Sequence, residues 1–167
     1  MEVIEGPTVV TRPERHTAGI RMITPFQGMF AVRDTLMAEL FAWLDDRGLD
    51  AGPVFFRLHV IDMSGSMDIE VGVVTTDPVV GDDRVRAGSL PAGPYAQLVY
   101  VNHGMRANKL LLGWIDEQGL TADVAEDLAG DRFGCRYEAY LTDPRTERMK
   151  TRWQIELAVR LAGATGS

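Results

Sequence analysis

The spacing of apolar residues predicts two helices in this chain. Between positions 27 and 46 the apolar side chains recur at intervals that place them on one helical face, and Gly48 follows as a cap. That stripe consists of Met29, Val32, Leu36, Leu40, Trp43 and Leu44. A second helix is predicted over 105–118, where the buried stripe consists of Leu111, Leu112 and Ile115.

Alternation of apolar and polar residues predicts the strands. They are 19–23, 54–60, 68–74, 95–101, 136–141 and 154–159, with a shorter extended piece at 7–11. We interpret residues 122–134 as a loop, either a functional lid or a plain solvated connection. Its acidic residues are Asp123, Glu126, Asp127 and Asp131.

The second half of the chain resembles the first. Segment 40–49 matches segment 111–120, with Trp, Asp, Gly and Leu at corresponding positions, and 68–73 matches 154–159. We interpret the matches as a duplicated strand-helix-strand-strand unit inside a single domain, residues 1–167. Repeat 1 covers about 15–76 and repeat 2 about 88–162. Chance likeness between two amphipathic helices is the alternative.

Two such units predict an α+β fold, an antiparallel sheet with both helices on one face and a ligand cleft on the other. Alternation puts Tyr137, Ala139 and Leu141 on one face of their strand, and we predict that this face packs against the helices. Glu138 and Tyr140 then face the opposite way. The residues expected beside this pair are Glu70, Gly72, Glu156 and Ala158.

That second face has the composition of a small-molecule cleft. The small residues would leave a hollow, a carboxylate would answer a positive charge, and aromatic rings would stack on a flat ligand. The candidate ligand-binding residues are Glu138, Tyr140, Glu70, Glu156, Phe56, Tyr100, Trp153 and Trp114. The alternative is that this face has no cleft, so that the acids face water and the aromatic residues belong to the core.

Charge and composition exclude several other classes of function. The chain has 167 residues, a net charge of -7 and no basic run, so we expect no direct nucleic-acid partner. It has no apolar stretch long enough to cross a bilayer, so we expect a cytoplasmic protein without a membrane partner. Cys135 is the only cysteine, which excludes an internal disulfide. We predict no metal, because His16, His59 and His103 lack ligand spacing, and no cofactor, because no phosphate-binding or dinucleotide motif is present.

The chain resembles the GyrI-like small-molecule-binding domain, a family that includes the effector-binding domains of multidrug-responsive regulators. The resemblance rests on segments 43–48, 90–96 and 137–144, the last of which reads Tyr-Glu-Ala-Tyr-Leu-Thr-Asp-Pro. It implies a pseudo-two-fold fold whose cleft binds bulky aromatic, often cationic compounds around a buried glutamate, matched here by Glu138. The 17 residues before the domain are too few for a DNA-binding helix pair, so we do not expect a transcription factor.

The resemblance also implies alternatives for what the site does. Stand-alone members of the family are linked to drug sequestration, toxin protection and antibiotic resistance, and some hydrolyse cyclopropane-bearing, DNA-alkylating toxins. For such a hydrolase the candidate catalytic residues are Glu138, Tyr140 and Glu156, with Glu70 as a substitute for Glu156. A gyrase-interacting inhibitor is a third hypothesis, motivated by the acidic charge. The sequence makes no prediction of oligomeric state.

Overall fold

A computed structural model describes residues 1–162, which form ten strands and two α-helices. The helices are α1 (Met29–Arg47) and α2 (Gly104–Glu117), and a 3-10 turn covers Lys150–Arg152. The strands are β1 (Glu2–Arg12), β2 (Arg15–Pro25), β3 (Val54–Ile61), β4 (Ser66–Val74), β5 (Arg86–Leu90), β6 (Gly93–Val101), β7 (Val124–Asp127), β8 (Gly130–Phe133), β9 (Arg136–Tyr140) and β10 (Gln154–Arg160). The predicted domain, 1–167, ends in residues 163–167, which lie outside the described part.

The main sheet has the strand order β1-β6-β10-β9-β3-β4-β2-β5, and every neighbouring pair is antiparallel. The first half contributes β3-β4-β2-β5 and the second half contributes β9-β10-β6-β1, and the halves join where β3 pairs with β9. The predicted α+β class with an antiparallel sheet is confirmed. The two halves have corresponding strand orders, while an origin by duplication stays a prediction.

Both helices pack on the same face of the sheet, which we call the helix face. Helix α1 packs on β2 and β4, and α2 packs on β6. Their stripes join one apolar core with the inward residues of the strands, among them Ile20, Ile69, Val71, Leu98 and Leu157. Because the helices sit over the two outer parts of the sheet, the central strands β9 and β3 lie under the gap between them.

The opposite face, which we call the bare face, buries a smaller core. Its members are Phe55, Leu90, Tyr95, Cys135, Tyr137, Ala139 and Ala158. Arginine side chains from the adjoining ends of β1 and β2 extend over this face: Arg15 donates to the Tyr137 hydroxyl at 3.0 Å, and Arg12 donates to Gln97 at 2.7 Å. Long arginine stems cover apolar surface while their charged ends find partners, so the bare face is buried without a helix.

The register of β9 corrects the predicted face assignment. Glu138 lies opposite Leu157 on β10 and opposite Phe56 on β3, and both of these residues belong to the core under the helices. Glu138 therefore lies on the helix face, whereas Tyr137 and Ala139 lie on the bare face. The prediction of the reverse was wrong because alternation separates two faces without saying which one carries the helices. Leu141, predicted as core, is 43% exposed because β9 ends before it.

Two further differences concern exposed strands. Residues 122–134, predicted as a loop, contain the hairpin β7–β8, which pairs with the end of β3. All four residues of β7 are exposed, so its sequence carries no apolar alternation. The edge strand β5 was not predicted, and β1 extends well beyond the predicted 7–11. Edge strands are held by backbone pairing along one side, which leaves little pattern in their side chains.

Candidate functional site

Glu138 occupies the middle of the helix face. It is partly accessible and lies between Leu157 and Phe56 on the neighbouring strands, under the gap that separates α1 from α2. The residues in register with it on the neighbouring strands are all apolar: Leu157, Leu98, Phe56, Val71 and Ile20. The single acid therefore marks the place where the two halves of the helix face meet.

The carboxyl group of Glu138 is held by Tyr140. The Tyr140 hydroxyl donates to Oε2 of Glu138 at 2.6 Å, and Nη1 of Arg33 donates to the same hydroxyl at 3.2 Å. Burial raises the pKa of Glu138 above its ordinary value, although the tyrosine hydrogen bond and the charges of Arg33 and Arg136 oppose the shift. Burial also raises the pKa of Tyr140, as does the adjacent carboxylate. The pair therefore offers an acid with a raised pKa beside a hydroxyl that donates a hydrogen bond to it.

Three of the predicted aromatic residues lie close to this pair. Phe56 is the neighbour of Glu138 on β3, and Trp153 packs against Tyr140 with 5.2 Å between ring centroids. Tyr100 lies in the next row of the same face, where burial and then the charge of Glu138 raise its pKa. All three rings are less than 5% exposed. They line the site beside its partly accessible acid.

The sequence analysis missed two arginines that complete the site. Arg33 reaches in from α1 and is only 6% exposed. Arg136 lies two residues before Glu138 on the same side of β9, stacks over the Phe133 ring at 4.9 Å and donates to Asn108 on α2 at 2.7 Å. A signal for Arg33 was present, because it falls within the apolar stripe of α1, four residues after Met29 and three before Leu36.

Glu70 and Glu156 lie on the bare face, so they do not share a site with Glu138. His59 Nε2 and Glu70 Oε1 are 2.7 Å apart, and Glu156 accepts from Arg12 at 2.9 Å. The predicted hollow beside them is also absent from the described residues. The ring of Phe55 fills the space over Gly72, the Glu70 side chain fills the space over Gly19, and Ala158 is buried in the small core.

The remaining predicted residue, Trp114, packs half-buried on α2 against the main core. Trp43, the corresponding tryptophan of α1, lies at the far end of that helix and donates to Asp82 at 2.9 Å. The structure therefore assigns both tryptophans of the matched helix ends to packing. It does not bring either of them to Glu138.

Neither of two cavities in the described residues includes Glu138. One, of about 230 Å³, is lined by residues of the β9 end and its following turn, including Tyr140, Leu141 and Pro144, and by Phe41 of α1. The other, of about 480 Å³, lies at the end of α1 beside Trp43.

Two classes of site are not found in residues 1–162. No group of three or more His, Cys, Asp and Glu side chains is placed to hold a metal ion. Neither of the two helices in this part is long and apolar enough to span a membrane.

This geometry joins a sheet, two helices over its outer parts and a central acid walled by aromatic rings. A family model described as the GyrI-like small molecule binding domain matches residues 6–162. The chain belongs to this family. The resemblance inferred from segments 43–48, 90–96 and 137–144 is thereby confirmed. No match to a curated protein was found.

Solved structures share the fold at low sequence identity. The C-terminal domain of EcmrR has a TM-score of 0.66 at 15% identity and covers 93% of this chain and 96% of its own. SAV2435, solved with tetraphenylphosphonium bound, has a TM-score of 0.65 at 11% identity, over 98% of this chain and 95% of its own. A hydrolase from Listeria innocua has a TM-score of 0.58 at 13% identity, over 93% and 91%. This chain spans 56% of the length of the EcmrR chain that was solved in a complex with DNA.

Proposed function

We propose that this GyrI-like domain binds bulky aromatic compounds, cationic compounds among them, in the gap between α1 and α2, and so protects the cell against drugs or toxins. The observation that carries the proposal is the placement of Glu138. It is the one acid in a row of apolar side chains on the helix face, and aromatic rings surround it. An aromatic ligand gains by stacking on rings, and a positive charge gains from a carboxylate in a low-dielectric site.

The neighbours support the same proposal. SAV2435 was solved with tetraphenylphosphonium, a bulky aromatic cation, and the fold of this chain is similar to it over nearly its whole length. Tetraphenylphosphonium is therefore a suitable probe. Its four rings need aromatic walls and its charge is permanent, so its binding reports directly on the carboxylate.

The test compares two glutamates on opposite faces. Titration calorimetry with tetraphenylphosphonium should show binding by the native chain and an affinity about tenfold lower for Glu138→Gln, because the buried carboxylate is lost. Glu156→Gln, the same change on the bare face, should leave the affinity unchanged. Equal affinities for the native chain and Glu138→Gln would contradict the proposed site, and so would a loss confined to Glu156→Gln.

A second function, hydrolysis of cyclopropane-bearing toxins, is favoured by one contact. Tyr140 donates to Glu138 at 2.6 Å, and the raised pKa of Glu138 suits a general acid. In acid form, Glu138 would donate its proton to the carbonyl oxygen of a cyclopropyl dienone. Water would add to a cyclopropane carbon as the carbon–carbon bond breaks and its electrons aromatise the ring. The proton released by the water would return to the Glu138 carboxylate.

The structure changes the residues expected in that reaction. Glu156 and Glu70, predicted to help open the ring, lie on the bare face and cannot reach a ligand bound at Glu138. Mass spectrometry of a cyclopropyl dienone incubated with the native chain should show a water adduct in excess of the protein, and Glu138→Gln should abolish it. Recovery of unchanged toxin in a stoichiometric complex would leave binding as the function. The gyrase-inhibitor hypothesis rests on net charge alone and stays a prediction.

A further inference from the structure

A guanidinium group already occupies the aromatic surroundings of Glu138. The centre of the Arg33 guanidinium lies 4.9 Å from the ring centroid of Phe30, 5.6 Å from that of Tyr140 and 5.9 Å from that of Phe56. All three distances fall within the range in which a cation is attracted to the face of a ring. With 6% of its surface exposed, Arg33 is the most buried charged residue of α1.

Polar contacts hold this guanidinium in place. Arg33 donates to the Tyr140 hydroxyl at 3.2 Å and pairs with Asp34 at 3.0 Å, and Asp34 in turn pairs with Lys150 at 2.6 Å. Burial alone would lower the pKa of Arg33, but Tyr140, Asp34 and Glu138 outweigh it and hold the pKa above its ordinary value. The side chain therefore stays charged. It already makes the two kinds of contact that a cationic ligand would make, with aromatic faces and with a nearby carboxylate.

We propose that Arg33 is an internal cation, held in the place of a cationic ligand, which an external cation must displace from the rings of Phe30, Phe56 and Tyr140. The inference rests on the proposed function, since it concerns how that site selects its ligands. Phe30 forms the exposed side of this arrangement, because the residue is 50% exposed while Arg33 lies over its ring. Arg33 is thus a specificity-determining residue that lowers the affinity for cations.

The charge of the site leads to the same expectation. Arg33 and Arg136 both act on Glu138, so two guanidinium groups face one carboxylate. Like charges oppose one another where the dielectric constant is low, and a permanent cation can enter favourably only when one guanidinium leaves. An anion of the same shape would instead be attracted by the Arg33 guanidinium, which a cation must displace. Removing the charge of Arg33 should therefore shift the preference of the site from anion towards cation.

The experiment uses two probes of the same shape and opposite charge, tetraphenylphosphonium and tetraphenylborate. Titration calorimetry with Arg33→Met should show tetraphenylphosphonium binding about tenfold tighter than to the native chain, and tetraphenylborate binding no tighter. Arg33→Lys keeps the charge but loses the planar stack, so it should give a smaller gain. It also covers the case in which Arg33→Met fails to fold.

Arg47→Met provides the matched control. Arg47 lies on the same helix and stacks over the Trp43 ring at 4.0 Å, far from Glu138, so its loss should change neither affinity. If Glu138→Gln weakens tetraphenylphosphonium binding but neither Arg33 variant strengthens it, the internal-cation inference is overturned and the proposed function stands. If tetraphenylphosphonium binds neither the native chain nor any variant, the proposed function itself fails.

Discussion

The two faces of the sheet hold their acidic side chains in different ways. On the bare face, Glu156 accepts from Arg12 at 2.9 Å, and Glu70 lies 2.7 Å from His59. Glu70 has its partner on the neighbouring strand β3, and Glu156 has its partner at the end of β1. On the helix face, Glu138 accepts a hydrogen bond from a neutral tyrosine, and the charged groups around it come from α1 and from its own strand.

The comparison shows that a half-buried glutamate is not in itself a binding site. An acid with a close hydrogen-bond partner and no space beside it gives a ligand little to gain, and this describes Glu70 and Glu156 on the bare face. An acid under a gap between two helices, with rings beside it, is the arrangement from which we propose that a ligand gains both stacking and charge. Three predictions sharpen this comparison.

The largest effect should come from the core beneath the helices. Leu157→Ala should lower the free energy of unfolding by about 2–5 kcal/mol, because Leu157 is 3% exposed and truncation leaves a cavity next to Glu138. Leu141→Ala, at a residue that alternation places in the core but the structure exposes, should change it by less than about 0.5 kcal/mol. Urea unfolding measures both. Equal losses would mean that Leu141 is buried, contrary to the structure.

A matched pair of tyrosines should give an intermediate effect. Tyr140→Phe and Tyr137→Phe each remove one buried hydroxyl, the first bonded to Glu138 and the second to Arg15. Each should cost about 1–3 kcal/mol of stability, since a charged partner loses its hydrogen bond. Only Tyr140→Phe should also change the affinity for tetraphenylphosphonium. A change of the same size in Tyr137→Phe would break the distinction between the two faces.

The smallest effect should be the pH dependence contributed by Glu138. Its pKa is raised in the folded chain from an ordinary value of 4.5, so the folded state keeps this proton longer than the unfolded state does. The associated stability is fully present below the unfolded pKa and is lost as the pH rises through the folded pKa. Urea unfolding between about pH 4 and about pH 8 should therefore show the native chain losing stability relative to Glu138→Gln. A constant difference would show that Glu138 titrates normally.

Periodicity predicted most of the fold. The stripe of α1 and its Gly48 cap are confirmed: Gly48 has φ of 61°, and its N–H bonds to Asp45. The apolar strands β3, β4, β6 and β10 were placed within a few residues of their observed bounds. These elements bury one side against a helix, which forces a clear period on their residues. The exposed strands β5, β7 and β8 have no such constraint.

The site could be predicted in part only. Glu138 and Tyr140 were predicted as candidates from their place in segment 137–144, but their face was assigned wrongly because both sides of β9 are buried. Covering of the bare face by Arg12 and Arg15 depends on contacts across the chain, which local alternation does not encode. The same limit hid Arg33, whose partner Tyr140 lies 107 residues away along the chain.

The most direct test of the central claim is the position of a bound ligand. A crystal structure of the chain with tetraphenylphosphonium should show the compound over β9 between α1 and α2, with its phosphorus centre beside the Glu138 carboxylate and the Arg33 side chain displaced from the rings of Phe30 and Phe56. Density for the compound on the bare face beside Glu70 and Glu156, with Arg33 unmoved, would contradict the account.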